Sequence, residues 1–151
     1  MGGERMRRRS MRICGVVLAA VMGCSVAMAQ TDGGITVWPK GVPPAGAARA
    51  SFDGFAMMIS HRTASDQVEV HQTVADIMVV QSGTTTLVTG GEVVEPVTKG
   101  PNEIGGSAIK GGVSRTLVAG DVVEIPPGVP HQYFIEPGGQ ITYLLIKVTK
   151  K

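Results

Sequence analysis

Short apolar runs separated by glycine and proline turns fill the chain from Phe52 onward. The runs are rich in Val, Ile, Thr and Tyr, and turn signals return about every 8 to 12 residues, as in all-β sandwiches and barrels. No window of a dozen residues keeps a helical apolar period. Nine runs are predicted to be strands: 54–61, 66–71, 76–81, 83–89, 92–97, 114–119, 121–125, 131–136 and 140–148.

The stretch 98–112, TKGPNEIGGSAIKGG, interrupts this pattern with five glycines. Glycine is depleted in strands and enriched in turns, so the stretch is predicted to be a long loop that joins two halves of the β domain.

The first 29 residues follow a different pattern. Residues 1–12 carry five arginines, and the uncharged apolar run 13–29 ends in Ala27-Met28-Ala29. A basic region, a short apolar run and a small-residue exit are typical of a secretory signal peptide, which predicts cleavage after Ala29 and a periplasmic or secreted protein. Two alternatives stay open: the run remains as an uncleaved anchor, or Val21-Met22-Gly23-Cys24 is a lipobox acylated at Cys24.

Three parts of the chain follow from these patterns: a signal peptide at 1–29, an extended arm at 30–53 and a β-barrel domain at 54–151. The arm is rich in Gly, Pro and Ala, and Trp38 is the side chain expected to dock it.

Removal of the leader changes the net charge from +2 to −2. The nine remaining Lys and Arg residues are scattered singly, which excludes the basic patch of a nucleic-acid-binding protein. Both cysteines, Cys14 and Cys24, lie in the leader, so the exported domain has neither a disulfide nor thiol chemistry. A phosphate-binding glycine loop and a nucleophile elbow are also missing.

Four polar residues carry the candidate chemistry. Glu69 and His71 are two apart on a predicted strand, so both project from one face. Asp76 begins the next strand, and His131 follows the turn Pro126-Pro127-Gly128. Two imidazoles and one carboxylate would form a facial triad for a divalent metal with open positions. Glu69 would be a fourth ligand or a base that shuttles a proton. The alternative is that these are half-buried polar residues without a metal.

Other polar residues are assigned to less specific roles. His61 is predicted to be a strand-end surface residue rather than a pocket group. Tyr133 shares parity with His131, and it either lines the same cavity or packs in the core. Four ionisable residues are predicted to be solvated: Arg62, Glu92, Glu95 and Glu103.

These residues resemble the two motifs of the cupin superfamily over about residues 55–148. The second motif, G-x5-P-x-G-x2-H-x3-N, is matched except at its last position, where Ile135 replaces Asn. The matching residues are Gly120, Pro126, Gly128 and His131. In the first motif, G-x5-H-x-H-x3,4-E-x6-G, His71, Asp76 and Gly83 are in register. Glu69 stands in place of the first His, and Thr63 in place of the opening Gly.

The resemblance implies a small jelly-roll barrel, or double-stranded β-helix, commonly a homodimer, with a metal in its mouth. Cupins with the full motif bind Mn, Fe, Ni, Zn or Cu through three histidines and a glutamate. The extra carboxylate here shifts the expected preference toward Mn²⁺ or Fe²⁺, with Ni and Zn as alternatives.

Three functions are compatible with the sequence. The first is a metal-dependent enzyme that acts on a small oxygen-rich organic molecule, with dioxygenase, decarboxylase, lyase or isomerase chemistry. The second is a non-catalytic periplasmic module that binds a small ligand or the metal. The third is a degenerate cupin with a structural role. Nucleic acid is not an expected partner, nor is the membrane after signal cleavage.

Overall fold

The structure is a computed structural model that describes residues 30–32, 35–38, 41 and 49–150. The predicted signal peptide lies outside the described residues. Strands dominate the described part, and their bounds are β1 Gln30–Asp32, β2 Ile35–Val37, β3 Arg49–Phe52, β4 Phe55–Arg62, β5 Val68–His71, β6 Val74–Thr89, β7 Glu92–Val94, β8 Val97–Gly100, β9 Glu103–Gly106, β10 Ala108–Lys110, β11 Val113–Val118, β12 Val122–Ile125, β13 His131–Phe134 and β14 Ile141–Thr149. In these residues, no helix is long and apolar enough to span a membrane.

Strand β6 connects the two halves of the barrel. Its first half pairs with β12 and β14, and its second half pairs with β11 and β13. The main sheet runs β3-β4-β14-β6-β13-β5-β9-β8, and every pairing is antiparallel. Strands distant in sequence therefore lie side by side, as in a jelly roll. The predicted all-β jelly-roll fold is confirmed.

The bend in β6 lies at Gly83. Its φ is +80°, and a Cβ placed there would lie 2.0 Å from the carbonyl oxygen of Gln140. Only glycine combines a left-handed φ with so close an approach of another backbone. The register of β14 against β6 shifts beside it, between Thr142 and Tyr143. The strands predicted at 76–81 and 83–89 are therefore one bent strand of 16 residues.

The core lies on the concave face of this curled sheet. Tyr133 of β13 stacks on Tyr143 of β14 with ring centroids 5.9 Å apart, which joins the two halves of the barrel. The buried cluster consists of Met78, Val80, Leu87, Leu117, Ile125, Tyr133, Ile135, Ile141, Tyr143 and Leu145.

The prediction of a long loop at 98–112 is wrong. This range contains most of β8 and all of β9 and β10, and β9 pairs with both β5 and β8. Its glycines serve close packing: a Cβ on Gly106 would lie 2.3 Å from Cγ1 of Val93. Glycine here marks a tight approach between neighbouring strands rather than a flexible loop.

The sheet also begins earlier than residue 54. Strand β3 pairs with β4 along its whole length, although its residues fall within the range predicted as an arm. Upstream, β1 and β2 form a small antiparallel pair, and the indole Nε1 of Trp38 is enclosed.

Candidate metal centre

Three strands place the predicted site residues at one end of the barrel. Glu69 and His71 project from β5, and His131 lies opposite Glu69 as its partner on β13. Asp76 lies at the start of β6. The turn before β13 is attached to β5, because the Gly128 N–H donates to the His71 carbonyl oxygen at 2.8 Å. The structure thus brings together all four predicted residues.

Their donor atoms converge. His71 Nε2 lies 3.7 Å from Glu69 Oε2 and 3.3 Å from Asp76 Oδ2. His131 Nε2 lies 3.8 Å and 3.9 Å from the same two oxygens. Ligands bound about 2.1 Å from an ion are separated by about 3.0 to 3.5 Å, so a small contraction would form a coordination shell. One donor atom each from Glu69, His71 and His131 lies within 4.8 Å of the others, which makes a group able to hold a metal ion.

His131 carries the clearest sign of a cation-binding site. It is buried, and its Nδ1 donates a hydrogen bond to the Val129 carbonyl oxygen at 3.1 Å. Burial lowers the pKa of His131, so the ring is neutral and Nε2 carries a lone pair. Among the residues that the structure describes, this buried nitrogen has no hydrogen-bond partner. A buried acceptor without a donor is costly, and a metal ion would satisfy it.

His71 is held at both ring nitrogens. Its Nδ1 lies 2.5 Å from Glu103 Oε2, and its Nε2 lies 2.7 Å from Lys147 Nζ. A lysine ammonium can only donate, so Nε2 accepts and the ring proton sits on Nδ1. The Asp76 carboxylate raises the pKa of His71, whereas burial and the Lys147 charge act in the opposite direction. A carboxylate at Nδ1 is the usual partner of a metal-binding histidine.

Lys147 also forms an ion pair with Asp76. The two are cross-strand partners on β14 and β6, and Nζ lies 2.9 Å and 3.1 Å from the carboxylate oxygens. Burial opposes ionisation of Asp76, but the neighbouring His71 and the Lys147 charge outweigh this effect and lower its pKa. The donor cluster therefore contains a positive charge of its own.

The site opens into a cavity of about 470 Å³. Arg62 lines it, where its guanidinium donates to the Tyr143 hydroxyl at 2.7 Å and pairs with Asp66 at 2.9 Å. Tyr133 belongs both to the cavity wall and to the core, so both of its predicted roles apply. Burial raises the pKa of both tyrosines, which therefore keep their phenolic protons. A larger cavity, about 750 Å³, lies between β6, β11 and β12, and none of the four donors lines it.

Two of the residues predicted to be solvated belong to the site instead. Glu103 contacts His71, and Arg62 is a half-buried cavity residue, so both predictions are wrong. Glu92 and Glu95 are exposed as expected. His61 is exposed and hydrogen-bonds Thr142 outside the site.

Several solved structures share the fold of this chain. No protein-family model matches the chain, and no curated protein does. Hydroquinone 1,2-dioxygenase from Sphingomonas sp. TTNP3, crystallised with 4-hydroxybenzoate, is 12% identical with a TM-score of 0.51, over 70% of this chain and 67% of that one. A cupin protein from Bacteroides fragilis is 22% identical with a TM-score of 0.42, over 64% and 66%. The chain has the cupin fold.

Another protein of similar structure is longer than this chain. The chain spans 52% of Peruvianin-I, a cysteine peptidase from Thevetia peruviana latex, which is 15% identical over 65% of this chain with a TM-score of 0.44. At these identities the likeness concerns the fold and not the reaction. The chemistry of the site therefore depends on the residues of this chain.

Lys147 is a further site residue that the sequence did not indicate. The cupin motifs end before β14, and Lys147 appears in the sequence as one of several scattered lysines. Its parity was the available signal, because Ile141, Tyr143 and Leu145 on the same face of β14 are all buried.

Proposed function

We propose that this chain is an exported cupin that binds a divalent transition metal in its barrel mouth and acts on a small oxygen-rich organic molecule. The ligands would be His71, His131 and Glu69, with Asp76 as a fourth. The observation that carries the proposal is the buried Nε2 of His131, which has no hydrogen-bond partner among the described residues and faces the carboxylates of Glu69 and Asp76.

The ion would supply Lewis-acid chemistry at an oxygen of the bound molecule. The chain supplies the rest. The Glu69 side chain is 43% exposed at the cavity, so its carboxylate is placed to accept a proton from the bound organic molecule or to return one to it. Arg62 and the two tyrosine hydroxyls offer donors for the ligand's oxygens. Two carboxylates beside two imidazoles favour Mn²⁺ or Fe²⁺, with Ni²⁺ or Zn²⁺ as alternatives.

Metal content is the first test. Purified wild-type protein would be compared with His71→Ala, His131→Ala and His61→Ala, the last being a matched control because His61 lies outside the site. We expect near-stoichiometric metal in the wild type and in His61→Ala, and loss in the other two. A wild type that takes up no metal after reconstitution, and whose thermal stability is unmoved by added ion, would exclude this function.

Turnover separates the enzyme from the second candidate, a non-catalytic binding module. The observation that favours the binding module is the ammonium of Lys147, which already occupies two of the donors. The metal-loaded protein would be assayed with small organic acids and phenols, including 4-hydroxybenzoate and hydroquinone. Consumption that is lost in Glu69→Gln supports the enzyme, whereas saturable binding without consumption supports the module.

A further inference from the structure

The Nε2 atom of His71 has one lone pair and two prospective partners. In the structure that lone pair accepts a hydrogen bond from Lys147 Nζ at 2.7 Å. A neutral imidazole nitrogen cannot accept this proton and bind a metal ion at the same time. Asp76 is engaged by the same ammonium, because both of its oxygens lie within 3.1 Å of Nζ, but each carboxylate oxygen keeps a second lone pair that an ion could use. Metal binding through His71 therefore requires Lys147 to leave.

We propose that Lys147 is a built-in exchangeable cation, which holds the site when no metal is bound and is displaced when the ion binds. This inference rests on the proposed metal function. Lys147 would then determine which ions bind, because an ion must bind the donor atoms more strongly than the ammonium does.

The charges around Asp76 support the exchange. Its side chain is 4% exposed, and a buried carboxylate without a cation is strongly unfavourable. Lys147 supplies that cation from the neighbouring strand, and a divalent ion would replace it at the same carboxylate. The Lys147 side chain is 22% exposed and lines the 470 Å³ cavity, so the released ammonium has solvent to move into.

His131 explains why the ammonium does not substitute fully for a metal. Lys147 hydrogen-bonds His71 and Asp76, but His131 Nε2 is left without a partner in the described part of the chain. With Lys147 in place, His71 and Asp76 have a partner for their acceptor atoms and His131 Nε2 has none among the described residues. An ion that reaches both imidazoles gains the His131 lone pair, which the ammonium does not use.

Binding affinity tests the proposal directly. Isothermal titration with Mn²⁺ and with Zn²⁺ would compare the wild type, Lys147→Met and Lys110→Met, which removes the same charge on β10, away from the site. We expect Lys147→Met to bind about tenfold or more tightly, because a charge-assisted hydrogen bond no longer competes. Lys110→Met should match the wild type. Adding His131→Ala to Lys147→Met should weaken binding again.

Amine labelling tests it without a substitution, in case Lys147→Met folds poorly. The wild type would be treated with an acetylating reagent with and without Zn²⁺, and each lysine would be quantified by mass spectrometry. We expect the ion to accelerate acetylation of Lys147 severalfold, while Lys110 and Lys150 stay constant. Unchanged or slower labelling would mean that the ammonium remains in place, and would overturn the exchange.

The outcomes separate this inference from the proposed function. Metal binding that needs His131 but is equal in the wild type and Lys147→Met overturns the exchange and leaves the metal function standing. Binding by Lys147→Met but not by the wild type would show that the ammonium is not displaced in the natural chain, and would overturn both the exchange and the metal function. Absence of binding in all variants overturns both.

Discussion

At the scale of single residues, the two histidines of the site differ in what their nitrogens contact. His71 has an acidic partner at Nδ1 and a cation at Nε2, so its hydrogen bonds are satisfied without a metal. Within the part of the chain that the structure describes, His131 has a hydrogen bond at Nδ1, to Val129, and none at Nε2. Replacing each ring by an apolar side chain should therefore have different consequences.

We predict that His131→Leu changes the free energy of unfolding by about 1 kcal/mol or less in the presence of a chelator. It loses one hydrogen bond to a carbonyl but also removes a buried unpaired acceptor. His71→Leu is the matched comparison and should cost about 2 kcal/mol or more, because it breaks contacts to charged groups. Urea unfolding with EDTA measures both. Equal losses in the two variants would mean that His131 Nε2 is satisfied in solution without a metal.

Some of these site residues could be predicted from the sequence and others could not. Local spacing predicted Glu69 and His71 on one face, and the turn before His131 predicted its return to the same place. Lys147 and Glu103 were not predicted to belong to the site, because their positions depend on which strands pair. Lys147 is 71 residues from Asp76 in sequence, and its parity indicates a face but not a neighbouring strand.

At the scale of elements, the bend of β6 is a specific requirement of the fold. Gly83 has a left-handed φ and touches the backbone before β14. Gly138 has nearly the same φ, +79°, but an added Cβ there would meet no atom of the described residues within 4 Å. The pair separates the cost of the backbone conformation from the cost of crowding.

We predict that Gly138→Ala costs about 1 to 2 kcal/mol, the usual penalty for a left-handed alanine. Gly83→Ala should cost at least about 3 kcal/mol or prevent folding, because a clash with the Gln140 carbonyl adds to the same strain. Urea titrations of the two variants give the comparison. Similar losses would indicate that β14 moves away from β6 without much resistance.

The glycines of 98–112 show why strand prediction failed where glycine is abundant. Composition assigns glycine to turns, yet Gly105 and Gly106 lie within β9. A Cβ at position 106 would collide with Val93, and a Cβ at position 105 would collide with the Lys99 side chain, so both strand positions are occupied by glycine. A close approach between strands leaves no signal in the sequence other than the glycine itself.

At the scale of the whole molecule, the site connects the two halves of the barrel. Glu69, His71 and His131 come from β5 and β13, whereas Asp76 and Lys147 come from the pairing of β6 with β14. Export with cleavage after Ala29, homodimer formation and the net charge of −2 stay predictions about the mature chain, and N-terminal sequencing and light scattering would test the first two.

An ion bound to donors from both halves should stabilise the barrel as a unit. Its effect follows mass action, so a metal concentration about 100 times the dissociation constant should raise the free energy of unfolding by about 2.7 kcal/mol. The urea dependence should keep its slope, because the surface exposed on unfolding is the same. At equal metal concentration Lys147→Met should gain more, and His131→Ala should gain little. Stabilisation of the same size in His131→Ala would mean that the ion binds elsewhere, since the donors that span the two halves would then not be its ligands.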